Sequence, residues 1–164
     1  MFNGCNSLKY ANFRNFDTSN CNAMHWMFYG CSSLISLDLS SFNTKKVENI
    51  NEMFNGCTNL RYINLKNFEL VDNLELGAII NGIPTNVRAC INQTKSQILY
   101  NLIKDLKDSQ IDCSDDWFID NNIFDYSYIT LRLKGKGMNR IFYEYDLHNY
   151  CPNFKVPDEA ELLL

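Results

Sequence analysis

Apolar positions in the first half of the chain recur with a period of 26 residues. Met1-Phe2-Asn3-Gly4-Cys5-Asn6-Ser7-Leu8 returns as Met27-Phe28-Tyr29-Gly30-Cys31-Ser32-Ser33-Leu34 and again as Met53-Phe54-Asn55-Gly56-Cys57-Thr58-Asn59-Leu60, with five of the eight positions identical each time. The same spacing aligns Ala11, Leu37 and Ile63; Phe13, Leu39 and Leu65; Phe16, Phe42 and Phe68; and Met24, Ile50 and Leu76. A degenerate fourth start over 79–83 keeps the glycine column at Gly82 and puts Ile83 in place of the cysteine, which reads as a capping turn. Each unit carries Leu-x-x-Leu-x-Leu, clearest at Leu34-Ile35-Ser36-Leu37-Asp38-Leu39. Its period-2 ending predicts a short strand with Leu37 and Leu39 turned inward. Val47, Ile50, Met53 and Phe54 have the spacing of an amphipathic helical turn that closes over the strand. One unit alone cannot bury its Leu, Phe and Met face, so neighbours must stack about 4.8 Å apart to build a continuous core.

The pattern changes after residue 80. Val87-Arg88-Ala89-Cys90-Ile91 predicts a strand, Lys95 to Lys107 a helix with Ile98, Leu99, Leu102, Ile103 and Leu106 on one face, and Gln110-Ile111-Asp112-Cys113 a second strand. A right-handed crossover in this β-α-β unit lays the two strands side by side and brings Cys90 and Cys113 within bridging range. A disulfide there implies an oxidising compartment. Further on, Tyr126 to Lys134 and Met138 to Asp146 alternate around Lys134-Gly135-Lys136-Gly137, the pattern of a β-hairpin. Its glycines lack both the fingerprint and the following helix of a phosphate loop.

Cys5, Cys31 and Cys57 share one column, so stacking sets them about a strand spacing apart with side chains pointing the same way. That distance permits a disulfide and that direction opposes one, which leaves a ladder of buried thiols behaving as small hydrophobes. A line of ligands also does not suit tetrahedral zinc. Cys21 falls on the position of Val47 and reads as core.

The Met-Phe-x-Gly-Cys-x-x-Leu-x-x-Leu-x-Leu-x-x-Phe-x-Thr pattern resembles the BspA-type leucine-rich repeats, the 26-residue DUF285 family, over about the first half of the chain. The third unit departs from it, with Leu70 where Thr18 and Thr44 stand in the first two. The resemblance implies a surface protein of bacteria or of anaerobic or parasitic protists that engages in adhesion and protein binding. Ile111 to Trp117 also resembles the segment after the repeats in such proteins, and Ile141 to Asp146 with Tyr150-Cys151-Pro152 resembles the start of a cysteine-rich module. On that reading the partner of Cys151 lies beyond Leu164; the alternative is a free thiol on an ordinary hairpin. The expected fold is α/β: a short right-handed leucine-rich-repeat solenoid with parallel strands over 1–80, a β-α-β capping unit over 81–125, and a β-hairpin with the start of a cysteine-rich module over 126–164. The chain opens within a repeat and ends at Leu164, so it reads as part of a longer polypeptide. It carries neither a signal peptide nor an apolar run of the roughly 20 residues that span a bilayer.

The 15 Lys and Arg against 19 Asp and Glu give a net charge of −4 with no basic cluster, which argues against nucleic acid as a partner. Candidates for catalysis are sparse. His25 stands where the next unit has Asn51 and reads as a solvated or cap-like residue, and His148 lies in a polar turn beside Asn149. Cys113 with Asp112, Asp115, Asp116 and His148 can be drawn as a thiol site, yet the signatures of cysteine enzymes are absent. Asp112, Asp115, Asp116 and Asp120 lack the glycine and terminal glutamate of a calcium loop and read as a solvated acidic turn. No catalytic residue, metal or cofactor is expected. Asn92-Gln93-Thr94 is a glycosylation sequon, meaningful at Asn92 if a eukaryote secretes the chain.

The positions between the strand leucines face outward in this scheme, in columns Lys9, Ile35, Arg61; Tyr10, Ser36, Tyr62; and Asn12, Asp38, Asn64. Tyrosine and arginine are enriched at binding hot spots, so this face is the expected recognition surface. The expectation is an extracellular or cell-surface interaction or adhesion module whose partner is a protein or an extracellular-matrix or host-surface ligand. An intracellular repeat scaffold with reduced thiols is the alternative, and an enzyme carried by residues 81–164 ranks last.

Overall fold

The computed structural model describes residues 1–13, 16–70, 74 and 76–113. The hairpin expected over 126–164, and with it Asp115, Asp116, Asp120, His148 and Cys151, lies outside the described residues. The fold is mixed α/β. Five short strands, β1 (Tyr10–Asn12), β2 (Ser36–Asp38), β3 (Tyr62–Asn64), β4 (Arg88–Cys90) and β5 (Gln110–Ile111), form one parallel sheet in sequence order. Helix α1 (Gln97–Lys104) connects β4 to β5.

Register follows the sequence period. Ala11 pairs with Leu37, Leu37 with Ile63, and Ile63 with Ala89. The strand β4, expected to open the β-α-β capping unit, occupies the fourth rung of the same ladder, with Ala89 and Ile91 buried on the columns of Ile63 and Leu65 and Val87 buried one position past that of Leu60. The last step is shorter, since Arg88 pairs with Gln110 at a separation of 22 residues.

A second ladder of backbone hydrogen bonds joins the turn segments. The amides of Met24, Trp26, Phe28 and Gly30 donate to the carbonyls of Asn49, Asn51, Met53 and Asn55 at 2.7–3.0 Å. This ladder corrects the expected helical turn over 47–54. Glu48 donates to Asn22 O and Phe54 to Ile79 O, so these amides are spent on neighbouring units and not on an i→i−4 bond. Left-handed backbone at Glu52 (φ 53) and Gly56 (φ 81) interrupts helical propagation as well. Among the described residues only the fourth unit forms a regular helix, where Ser96 accepts the Leu99 amide at the N-terminus. At the other end the Ser109 hydroxyl reaches the Ile103 carbonyl at 2.6 Å. Leu99 and Ile103 face the core; Ile98, expected beside them, is 42% exposed because it lies at the margin of the apolar stripe.

Between the two ladders the core is a set of like residues stacked on like. The rings of Phe2, Phe28 and Phe54 lie nearly parallel with centroids 5.5 and 6.0 Å apart, and Phe13 packs edge-on against Phe2, Phe16, Phe28 and Phe42. Gly4, Gly30, Gly56 and Gly82 all have positive φ. A Cβ on Gly56 would sit 3.3 Å from Gly30 Cα, so this position needs glycine for both conformation and clearance. Buried threonines staple successive units. Thr18 Oγ1 donates to Asn43 O and accepts from Asn43 N, and Thr44 Oγ1 does the same with Glu69 O and N at 2.9 and 2.8 Å.

Candidate functional site

The strand face does not present its nine expected residues alike. Lys9 and Arg61 are exposed, and Ile35, Asp38 and Tyr62 are half-buried. Ser36 and Asn64 are buried, 1% and 4% exposed, so the expectation that these two project into solvent is corrected. Ser36 has a short side chain on a rung paired with the far larger Tyr62, and its hydroxyl has no protein partner. Asn64 and Asp38 turn back onto the chain, where their Oδ1 atoms accept the amides of Lys66 and Ser40 at 3.2 and 3.0 Å. That column closes an Asx turn after β2 and β3, a structural use that its polar character alone did not reveal. Of Tyr10 and Asn12 the structure describes the backbone, which pairs with Ser36 and Asp38.

A recess lies on the turn ladder. Asn3, Trp26, Tyr29 and Glu52 line an open pocket of about 270 Å³ that spans three successive turns. Trp26 is 48% exposed and Tyr29 39%, two of the three large hydrophobic residues exposed among the described ones. The Tyr29 amide donates to Trp26 O, which closes one turn and fixes the two rings on the same segment. His25 is half-buried and sets its ring edge-on to Trp26, centroids 5.1 Å apart. Glu52 occupies the column of Trp26 one unit on, and its carboxylate accepts from Asn55 Nδ2 at 2.9 Å. Both Trp26 (φ 55) and Glu52 (φ 53) hold left-handed backbone, which costs a non-glycine residue about 1–2 kcal/mol. The two walls of the pocket are thus the two non-glycine positions where the described chain carries that strain. The sequence did contain a signal for this site. Trp26 and Tyr29 replace the Glu52 and Asn3 or Asn55 of neighbouring units, so two aromatics three residues apart interrupt otherwise polar columns.

The cysteines fall into two chemistries. Cys90 and Cys113 form a disulfide across β4 and the end of β5, with Cα atoms 4.6 Å apart. Cys31 and Cys57 are free, fully buried thiols that donate to Phe2 O and Phe28 O at 3.0 and 3.2 Å, one rung back. Burial pushes both from 9.0 up to about 12, and it raises Cys5 as well. Thiols held protonated in this way are not nucleophiles. Cys21 is buried in the core and is disulfide-bonded as well. Among the described residues, no group of three or more His, Cys, Asp or Glu is placed to hold a metal, and no helix is long and apolar enough to cross a membrane. In the sequon, Asn92 is exposed and its Oδ1 accepts from both the amide and the hydroxyl of Thr94, at 3.0 and 2.7 Å.

No curated protein and no solved structure matches the chain. Residues 1–82 match the family described as Mycoplasma protein of unknown function, DUF285, and the 164-residue chain belongs to that family.

Proposed function

We propose that the protein is a cell-surface interaction or adhesion module of the BspA-like leucine-rich-repeat type. On this reading its stacked rungs wind as a short right-handed solenoid that displays a rigid binding surface. The observation that carries the reading is the exposure of Trp26 and Tyr29 on a turn ladder whose backbone is tied to both neighbouring units. Large aromatic side chains on a preorganised scaffold lose little entropy on binding and dominate interface energetics. The Cys90–Cys113 disulfide supports an exported chain, since such bonds persist in oxidising compartments. Lys9, Ile35, Asp38, Arg61 and Tyr62 then form a second surface, on the strand face, and Asn92 is the glycan acceptor if the host cell glycosylates.

The test is adhesion of beads coated with the full chain to an array of matrix proteins and cell monolayers, wild type against a Trp26→Ser/Tyr29→Ser variant. Retention of wild-type beads on a defined surface, with loss of at least about tenfold in the variant at unchanged Tm, is the expected result. Equal retention of both removes the reading.

A further inference from the structure

We infer that the Trp26–Tyr29–Glu52 pocket is a receptor for a cationic side chain, an arginine guanidinium presented by a partner protein. This assignment rests on the interaction reading above and names the chemistry of its contact. Two partly exposed aromatic rings and a carboxylate line the same pocket. Each element alone is weak, and together they have one sign: negative quadrupole, negative quadrupole, negative charge.

The carboxylate is held in place by an amide. Asn55 Nδ2 fixes Glu52 Oε2 at 2.9 Å, and among the described residues no lysine or arginine forms an ion pair with it. A neutral apolar side chain seated here covers the Glu52 carboxylate without compensation, and an acidic one is repelled by it. A guanidinium avoids both costs. Its plane stacks on an indole or phenol ring while its edge donates to a carboxylate, and its weak hydration makes the transfer cheap. Lysine satisfies the charge and lacks the planar face, so it is the poorer occupant. The pocket volume of about 270 Å³ leaves room for a whole arginine side chain. The chain as a whole carries −4, which favours approach of a basic partner.

The experiment titrates the full chain with N-acetyl-arginine amide and with its uncharged isostere N-acetyl-citrulline amide, following the Trp26 indole N–H by NMR. A Trp26→Phe variant assigns that resonance against Trp117. The arginine derivative is expected to move the Trp26 signal with an affinity about tenfold above that of citrulline, and Glu52→Gln is expected to reduce it about three- to fivefold. Equal shifts by the two compounds, insensitivity to Glu52→Gln, absence of any shift, or an equal response to a methyl glucoside each overturns the assignment. If beads lose adhesion in the Trp26→Ser/Tyr29→Ser variant while citrulline matches arginine, the interaction reading stands and the cation site falls. If adhesion is indifferent to those rings, the reading itself fails.

Discussion

Thr44 offers the sharpest test of what couples one unit to the next. Its side chain is 1% exposed, and its single oxygen both donates to Glu69 O (2.9 Å) and accepts from Glu69 N (2.8 Å), so one hydroxyl completes two backbone groups of the following unit. Thr44→Val keeps the shape and adds apolar surface, yet leaves that amide and carbonyl without this partner. An orphaned buried donor costs about 1–3 kcal/mol, a carbonyl less, and because Glu69 is half-buried water recovers part of both. The expected loss is about 2 kcal/mol. Thr44→Ser keeps both hydrogen bonds and gives up one buried methyl, worth about 1 kcal/mol. The order matters more than the values: if burial alone set the stability, serine would be the worse substitution and valine nearly silent. Urea unfolding followed by circular dichroism, with the disulfide intact, resolves the two. A valine variant at least as stable as the serine variant refutes the staple. A fall in m-value for Thr44→Val would add that the units no longer unfold as one.

Three further outcomes follow from the same stacking. Gly56→Ala combines a positive φ of 81° with a new contact 3.3 Å from Gly30 Cα and should cost about 2–3 kcal/mol in urea unfolding. Gly4→Ala, where a Cβ meets nothing within 4 Å, should cost about 1 kcal/mol, and equal losses would show that clearance is irrelevant. Replacing Cys90 and Cys113 by serine opens a loop with a sequence separation of 23 and should lower stability by about 3 kcal/mol, read as a drop in Tm under non-reducing conditions. Native Cys31 and Cys57 should resist alkylation at pH 8 and react fully in urea. Their folded pKa of about 12 lies above the ordinary 9.0, so the unfolded chain loses these protons first and stability should decline as pH rises from about 9 toward 12. Labelling of native Cys57 at the unfolded rate would contradict the burial.

The repeat was legible because a column of identical residues can be counted without knowing the fold, and the same count gave the register of β1 through β3. Pairing of Cys90 with Cys113 was legible too, since a strand, a short helix and a strand admit one compact arrangement. Val47, Ile50, Met53 and Phe54 misled because 3.6-residue spacing also arises when successive tight turns share one buried side, and side-chain pattern does not say which backbone amides are committed to a neighbour. The fourth rung was hidden by substitution. Ala89 and Cys90 stand where earlier strands carry Leu37 or Ile63 and Asp38 or Asn64, so the leucine signature vanishes while the backbone continues. Burial of Ser36 follows from the size of its neighbour on the next strand, a property of pairs that no single column contains. Trp26 and Tyr29 went unnoticed for a related reason: attention to what repeats passes over the one turn that differs.

The disulfide also decides how the molecule answers a pull. Tension applied along the chain lengthens only those segments that no covalent bond bypasses, by about 3.5 Å for each residue freed. The segment from Cys90 to Cys113 cannot lengthen, because load passes straight through the sulfur bridge and leaves α1 slack inside it. Helix α1 and strand β5 then form a block that tension cannot draw out.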